Sequence, residues 1–356
     1  MQKVLRAIGL VWLSIGFAPP VAAATVEEVI KTVRGLAPAR RKATLEEGAK
    51  KEGQLAWYTS MSLTDFPRVV AAFEKSAPGV KVNAYRLAQS SIMNKIDTEA
   101  RAGRYAVDIV SASPVEMWEL KRQNYSTSYL SPELKAFPSG AYDPQGFWSS
   151  FEVTPIVLAF NTKLVTQEEA PKSYQDLLLP KWKGKMNFGT DEHAWFSTIL
   201  DGMGKAKGLE FMKALAKQQL HFPGSSSIMR VQLMLGGESA MVIAARGRRV
   251  TELKEKGAPI DYRILDPYPA EPGSLALMRR ASHPHGTILF ADWMMSEEGQ
   301  TFMAQQIPRL TLRQGIKQIP RYQELYKKEF VFVDPASLGP NLNEVMASYQ
   351  QIFNVR

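Results

Sequence analysis

The chain has 356 residues, 45% of them hydrophobic and 22% charged, with a formal net charge of +9 and no cysteine. Its length suits two or three packed units, and the missing thiols exclude disulfides, thiolate metal centres and thiol catalysis. The cations are scattered, the densest clusters being Arg40-Arg41-Lys42 and Arg246-Gly247-Arg248-Arg249, so the charge reads as solubility and steering rather than a nucleic-acid stripe.

Residues 1–24 combine a basic start (Lys3, Arg6), an apolar run too short to span a bilayer and a small-residue end, "PPVAAA". That is the pattern of a cleaved secretory signal peptide. Without a cysteine at the cleavage point it is not a lipoprotein leader. Loss of Lys3 and Arg6 leaves a mature charge of +7. No later segment approaches the ~20 apolar residues of a membrane helix, so the expected mature protein is soluble, exported and periplasmic.

A polar helical stretch then runs to Gly53. Residues 54–59 read as a buried strand, 63–76 as an amphipathic helix and 79–85 as a strand. A helix follows from Ser90 to Ala102, a strand over 106–112 and a helix opened by Pro114. Residues 125–150 are rich in Tyr, Ser, Pro and Gly and lack a period. A strand restarts over 151–165, and a second α/β unit occupies roughly 155–265. Within it lie helices at 193–204 and 206–218, a helix stopped by Gly236-Gly237, a strand over 239–244 and another helix. One more helix is expected over 284–303.

Strands alternating with helices imply doubly wound parallel sheets. The expected fold class is therefore α/β, two doubly wound lobes with a hinged central cleft. Lobe 1 takes residues 25–152 plus 270–315, and lobe 2 takes 153–269 plus 316–356. In open α/β sheets, ligands sit beyond the carboxyl ends of strands.

Four strand-to-helix junctions are hydroxyl-rich: Thr59-Ser60-Met61-Ser62, Gln89-Ser90-Ser91, Ser111-Ala112-Ser113 and Ser225-Ser226-Ser227. Helix N-termini offer free N–H groups to anions, and hydroxyls add adaptable donors and acceptors. Capping alone also explains any one of them. Arg246, after an apolar strand, is an expected arm for a carboxylate or phosphate, with Arg230 a similar case. The candidate ligand-binding set is Thr59, Ser60, Met61, Ser90, Ser91 and Ser113 from one lobe. Thr190, Asp191, Ser226 and Arg246 come from the other. Asp191, Glu192 and His193 form an alternative metal trio, although three adjacent residues do not easily face one ion. No cofactor is required, although a bound metal ion remains an alternative. No Walker A sequence, G-x-G-x-x-G, G-x-S-x-G or H-E-x-x-H motif is present.

The stretch "EEGAKKEGQLAWYTSMSLTDFPRVVAAFEKSAPGVKV" resembles the opening of the extracellular solute-binding proteins of ABC importers, in the ferric-iron-type branch. "KIDTEARAGRYAVDIV", "AFNTKLVTQEEAPKSYQDLLLPKWKGKM", "LKEKGAPIDYRILDP" and "ASHPHGTILFADWMMSEEGQTFM" fit the same pattern, covering residues 43–315. The resemblance implies a type II-like periplasmic binding fold that closes on a ligand and presents it to a membrane permease, without catalysis. Ferric members typically carry a Tyr-Tyr pair in the second lobe and often a His in the first-strand loop. This chain has Ala244-Ala245 near the corresponding strand end and no His in "YTSMS". The expected ligand is a small anion, iron or an iron chelate, and the expected state a monomer partnered by an importer permease, with no nucleic acid. The alternatives are an exported metal-dependent hydrolase and a ligand-binding partner of a membrane sensor.

Overall fold

The computed structural model describes residues 24–355, the side chain of Ser90 excepted. The leader expected over 1–24 therefore lies outside the described residues but for Ala24. Two helices come first, α1 (Val26–Val33) and α2 (Pro38–Glu52). Thr25 and Glu28 form a capping box at the start of α1, each side chain bonding the other's backbone N–H. Gly53, at φ 73°, ends α2 in the left-handed conformation that glycine adopts without a Cβ clash.

The first lobe follows as β1 (Gln54–Thr59), α3 (Phe66–Ser76), β2 (Lys81–Arg86), α4 (Gln89–Arg101), β3 (Ile109–Ala112) and α5 (Pro114–Arg122). β1 pairs in parallel with both β2 and β3. The expected strand over 54–59 is present residue for residue, because five of its six residues are buried. α3 begins later than its amphipathic pattern, at Phe66 and Pro67, since proline fits the first turn.

A thirteen-residue strand, β4 (Ser149–Asn161), carries the chain onward. The second lobe contains β5 (Met186–Asn187), α6 (His193–Met203), α7 (Lys205–Ala216), α8 (Ser227–Leu235), β6 (Met241–Arg246), α9 (Gly247–Glu255) and β7 (Ile260–Arg263). The chain returns through β8 (Pro269–Leu277) to α10 (Pro284–Met295) and α11 (Glu297–Gln305). It ends in β9 (Val331–Phe332) and α12 (Pro335–Phe353). The single helix expected over 284–303 is two helices. Ser296 is extended there, and its Oγ caps α11 by accepting from Gly299 N at 3.1 Å.

The strand order is β2-β1-β3-β8-β4-β6-β5, with β7 also on β4 and β9 on β8. β8 runs antiparallel to β3 and to β4, and β4 antiparallel to β6 and β7. The parallel pairs expected of each lobe are therefore joined by antiparallel crossing strands, giving mixed sheets. A third crossing is made near Leu310, whose carbonyl accepts from Val153 N at 2.8 Å. Two hydrophobic clusters follow from strand alternation. On β4, Val157 and Ala159 join the larger cluster, which runs through the first lobe. Ile156, Leu158 and Phe160 point the other way, into a second cluster under α6, α7 and α12. No described helix is long and apolar enough to cross a membrane.

Candidate functional site

The carboxyl ends of β1 and β3 open beside the crossing strands, where Ser60, Met61, Ser111, Glu152, Gly273 and Arg309 line a cavity of about 160 Å³. The hydroxyls at the strand ends are largely internal. Thr59 is fully buried, and its Oγ1 accepts from Met61 N at 3.1 Å and from Ser111 Oγ at 2.8 Å. Ser111 Oγ in turn accepts from Trp57 Nε1 at 3.0 Å. This chain of hydrogen bonds fixes the turn after β1, leaving Ser60 and Ser62 to face the cavity.

The floor is built from the faces of β4 and β8. Glu152 lies opposite Gly273 and Thr154 opposite Glu271 in the antiparallel register, while Arg246 lies opposite Ile156. Glu152, Thr154, Glu271, Gly273 and Arg246 therefore share one face. A Cβ at Gly273 would lie 2.5 Å from Glu152 Cγ, so a side chain there must displace Glu152.

Two charge networks meet at this floor. In the first, Arg309 donates to Asp65 Oδ2 through Nη2 at 2.5 Å and Nε at 3.1 Å, and to Glu152 Oε2 at 2.8 Å. Burial works against the Asp65 carboxylate, yet Arg309 outweighs it and holds the group below its usual range. In the second, Arg246 lies 3.1 Å from Glu271 and 3.6 Å from Glu192. Glu192 is also paired with the wholly buried Arg230, whose Nη1 donates to the carbonyls of Ser225 at 2.8 Å and Gly224 at 3.3 Å. Burial pushes the Glu271 carboxyl up. Arg246 opposes that shift and Glu192 reinforces it, leaving the group above its ordinary value. Burial alone would lower the pKa of Arg246, but Glu271, Glu192 and Asp191 hold it above the ordinary guanidinium value.

Arg246 ends β6 between two carboxylates, within ion-pair distance of both, and its Nη1 is buried without a hydrogen-bond partner. Ser226 is exposed and accepts from Met229 N at 3.3 Å, so its described role is that of a cap for α8. Ser91 is exposed in the first turn of α4, and the side chain of Ser90 lies outside the described residues. Ser113 Oγ donates to Glu116, a buried carboxylate that also accepts from Gln89 Nε2 at 3.3 Å. Thr190 is half-buried and Asp191 exposed.

The trio Asp191, Glu192 and His193 does not converge. Glu192 turns to the two arginines, while the His193 ring meets Tyr349 edge-on at 5.0 Å. Among the described residues no three His, Cys, Asp or Glu side chains are placed to hold a metal ion. Ala244 and Ala245 are buried at the end of β6 and bring no hydroxyl.

His283 and His285 are structural. Asp108 accepts from His283 Nδ1 at 2.8 Å and from the Ser282 and Ala56 amides at 2.7 Å each. Glu52 does the same for His285, accepting from its Nδ1 at 2.7 Å and from Gly286 N at 2.8 Å. Both acids tie the start of α10 to the first lobe.

Asp65, Glu152, Glu271, Gly273 and Arg309 are site residues that the sequence reading missed. A signal exists for two of them. Glu152 and Glu271 are acids inside strands that are otherwise mostly buried, where a carboxylate needs a partner.

Residues 68–329 match the family model described as bacterial extracellular solute-binding protein. The iron uptake protein A1 of Synechocystis sp. is 22% identical over 284 residues, covering 74% of this chain and 77% of that protein. The Fe(3+)-binding periplasmic protein of Serratia marcescens is 25% identical over 160 residues, 43% of this chain and 46% of the relative. Among solved structures, Trichodesmium IdiA (FutA), in complex with iron and citrate, superposes with a TM-score of 0.75 at 16% identity, covering 84% of this chain and 99% of that one. AfuA from Actinobacillus pleuropneumoniae, with fructose-6-phosphate bound, gives 0.68 at 19% identity over 86% and 100% of the two chains. At such identities the structural likeness speaks for the fold.

Proposed function

Because the chain belongs to the bacterial extracellular solute-binding protein family, we propose that it captures a small solute in the interlobe cleft and delivers it to the permease of an ABC importer. The observation that carries this reading is the floor of β4 and β8, where Arg309 from the first lobe and Arg246 from the second reach one face of the crossing strands. A solute touching both sides stabilises the closed arrangement in proportion to its differential affinity for it. The export leader read over residues 1–24 supports the periplasm as the place of work, without a lipid anchor, and the protein is taken to act as a monomer without catalysis or a resident cofactor. Two curated relatives are named for iron. Direct coordination of bare iron gains no support from the donor set described here, so iron would enter as a chelate.

The test is closure. Incubated with a small-molecule extract of bacterial culture, the mature protein is expected to melt at higher temperature and to show a smaller radius of gyration by X-ray scattering. Failure of every extract to produce either effect would refute capture. Turnover of a small ester or phosphoester, lost on His193→Ala, would instead favour a hydrolase.

A further inference from the structure

We propose that the first lobe carries a second binding site, a pocket of three arginines for a phosphate-type oxyanion, at the end of its sheet opposite the cleft. The site stands apart from the capture role proposed above.

The ends of four elements place the pocket. α4 ends at Arg101, α5 at Arg122 and β8 at Leu277, while β3 begins at Ile109. Ile109 lies opposite Leu277 in the antiparallel register, so residues 104–107, 123–125 and 278–280 come together there. With the last turns of α4 they line a cavity of about 220 Å³. The other end of β3, at Ser111 and Ala112, lines the cleft cavity. An occupant of one cavity therefore does not touch the other.

The charges on this wall are unbalanced. Arg104, Arg279 and Arg280 line the cavity with a single carboxylate, Glu99. Glu99 is already held by Lys95 at 2.7 Å and accepts from the Tyr58 hydroxyl at 2.8 Å. Among the described residues Arg104 and Arg280 form no ion pair, and Arg280 stacks 4.5 Å over the Tyr105 ring instead. Arg279 reaches Glu27 only at 4.0 Å, and its Nε is buried without a hydrogen-bond partner. Asp97 faces the Tyr125 hydroxyl and does not line the cavity. Three guanidiniums on one wall repel each other, and an anion among them offsets that repulsion.

The donors select the kind of anion. A guanidinium presents paired N–H groups that match two oxygens of a phosphate or carboxylate. Three of them exceed what the two oxygens and single charge of a carboxylate can use, whereas a phosphate brings more oxygens and more charge. Val107, a buried residue on the same wall, has an amide with no partner among the described residues, a further donor for an oxygen acceptor. The cavity is smaller than a typical pocket for a drug-sized ligand, so it suits a compact group. Free phosphate and the phosphate of a lipid headgroup share this chemistry.

The test uses the mature protein in phosphate-free buffer. Calorimetry with inorganic phosphate probes the free anion, and co-sedimentation with phosphatidylglycerol against phosphatidylcholine vesicles probes the headgroup. Saturable phosphate binding is expected, weakened at least tenfold by Arg279→Gln and by Arg280→Gln and less by Arg279→Lys. Circular dichroism and the unliganded melting temperature establish that each variant is folded. Silence toward free phosphate, with phosphatidylglycerol binding lost in Arg279→Gln/Arg280→Gln, also upholds the pocket and assigns its occupant to a lipid. There the charge control is Lys163→Gln/Lys217→Gln, two exposed lysines of the second lobe. An equal loss of vesicle binding in that control overturns the pocket, as does phosphate binding that the arginine variants leave unchanged. Silence toward both probes overturns it as well.

Discussion

Arg230 and Glu192 form an ion pair in which the guanidinium side chain is wholly shielded from solvent and the carboxylate is 4% exposed. Removing one member leaves the other charge in the interior, which typically costs about 3–5 kcal/mol. Arg230→Met is therefore expected to lower stability by about that much in urea unfolding, because Arg246, at 3.6 Å, is a weaker substitute for Glu192. The double change Arg230→Met/Glu192→Leu is expected to recover most of the loss. A single-variant loss below about 1 kcal/mol would show that the pair contributes no more than a surface bridge.

The local elements were legible where burial follows a short period. β1 is a run of buried residues, and α5 opens on Pro114. β8 is legible only as an extended segment leaving the second lobe, because Pro269 and Pro272 weaken its strand pattern, yet it carries half of the cleft floor. Its place between β3 and β4 depends on pairings with residues more than a hundred positions away. The ionic partners of Arg246 are also non-local, though nearer in sequence: Glu192 precedes it by 54 positions and Glu271 follows it by 25. A strand-end arginine thus looked free. The hydroxyls of "YTSMS" raised the converse problem. They marked the right turn, but Thr59 and Ser111 are consumed in holding it.

His193 gives a pH signature. Burial lowers its pKa below the ordinary imidazole value of 6.5, outweighing the pull of Asp191 and Glu192. The folded state thus binds its proton less readily than the unfolded chain does. The contribution to stability is fully present above about pH 6.5 and is lost as pH falls toward the depressed folded value. His193→Phe keeps a ring against Tyr349 and removes the proton. Its melting temperature is expected to fall less than the wild type's between pH 7 and pH 5. Parallel profiles would show that His193 does not titrate in that window.

Asp65 acts at the acid end. Its carboxyl is held below the ordinary value of 3.8, burial opposing and Arg309 prevailing. Its contribution is present above about pH 3.8 and is lost as pH falls through the depressed folded value. Asp65→Asn is expected to be less stable than wild type at pH 7 and to show a flatter decline below pH 4. Equal acid slopes in the two unfolding curves would place the acid lability elsewhere.

Gly273→Ala separates the site from the scaffold. The new Cβ meets Glu152 at 2.5 Å from Cγ and 2.8 Å from Oε1, and the third contact is that carboxylate's own Cδ at 3.1 Å. All three contacts are to one side chain and none is to backbone, so Glu152 must swing aside while the β4–β8 pairing persists. Arg309 would then keep Asp65 and lose the 2.8 Å contact to Glu152. Overpacking of this kind usually costs about 1–3 kcal/mol. The expected result is a modest loss of unliganded stability together with a loss of the ligand-induced rise in melting temperature. Retention of that rise in a folded Gly273→Ala protein would mean that Glu152 does not touch the solute, and the contact surface would then lie toward Glu271 and Arg246.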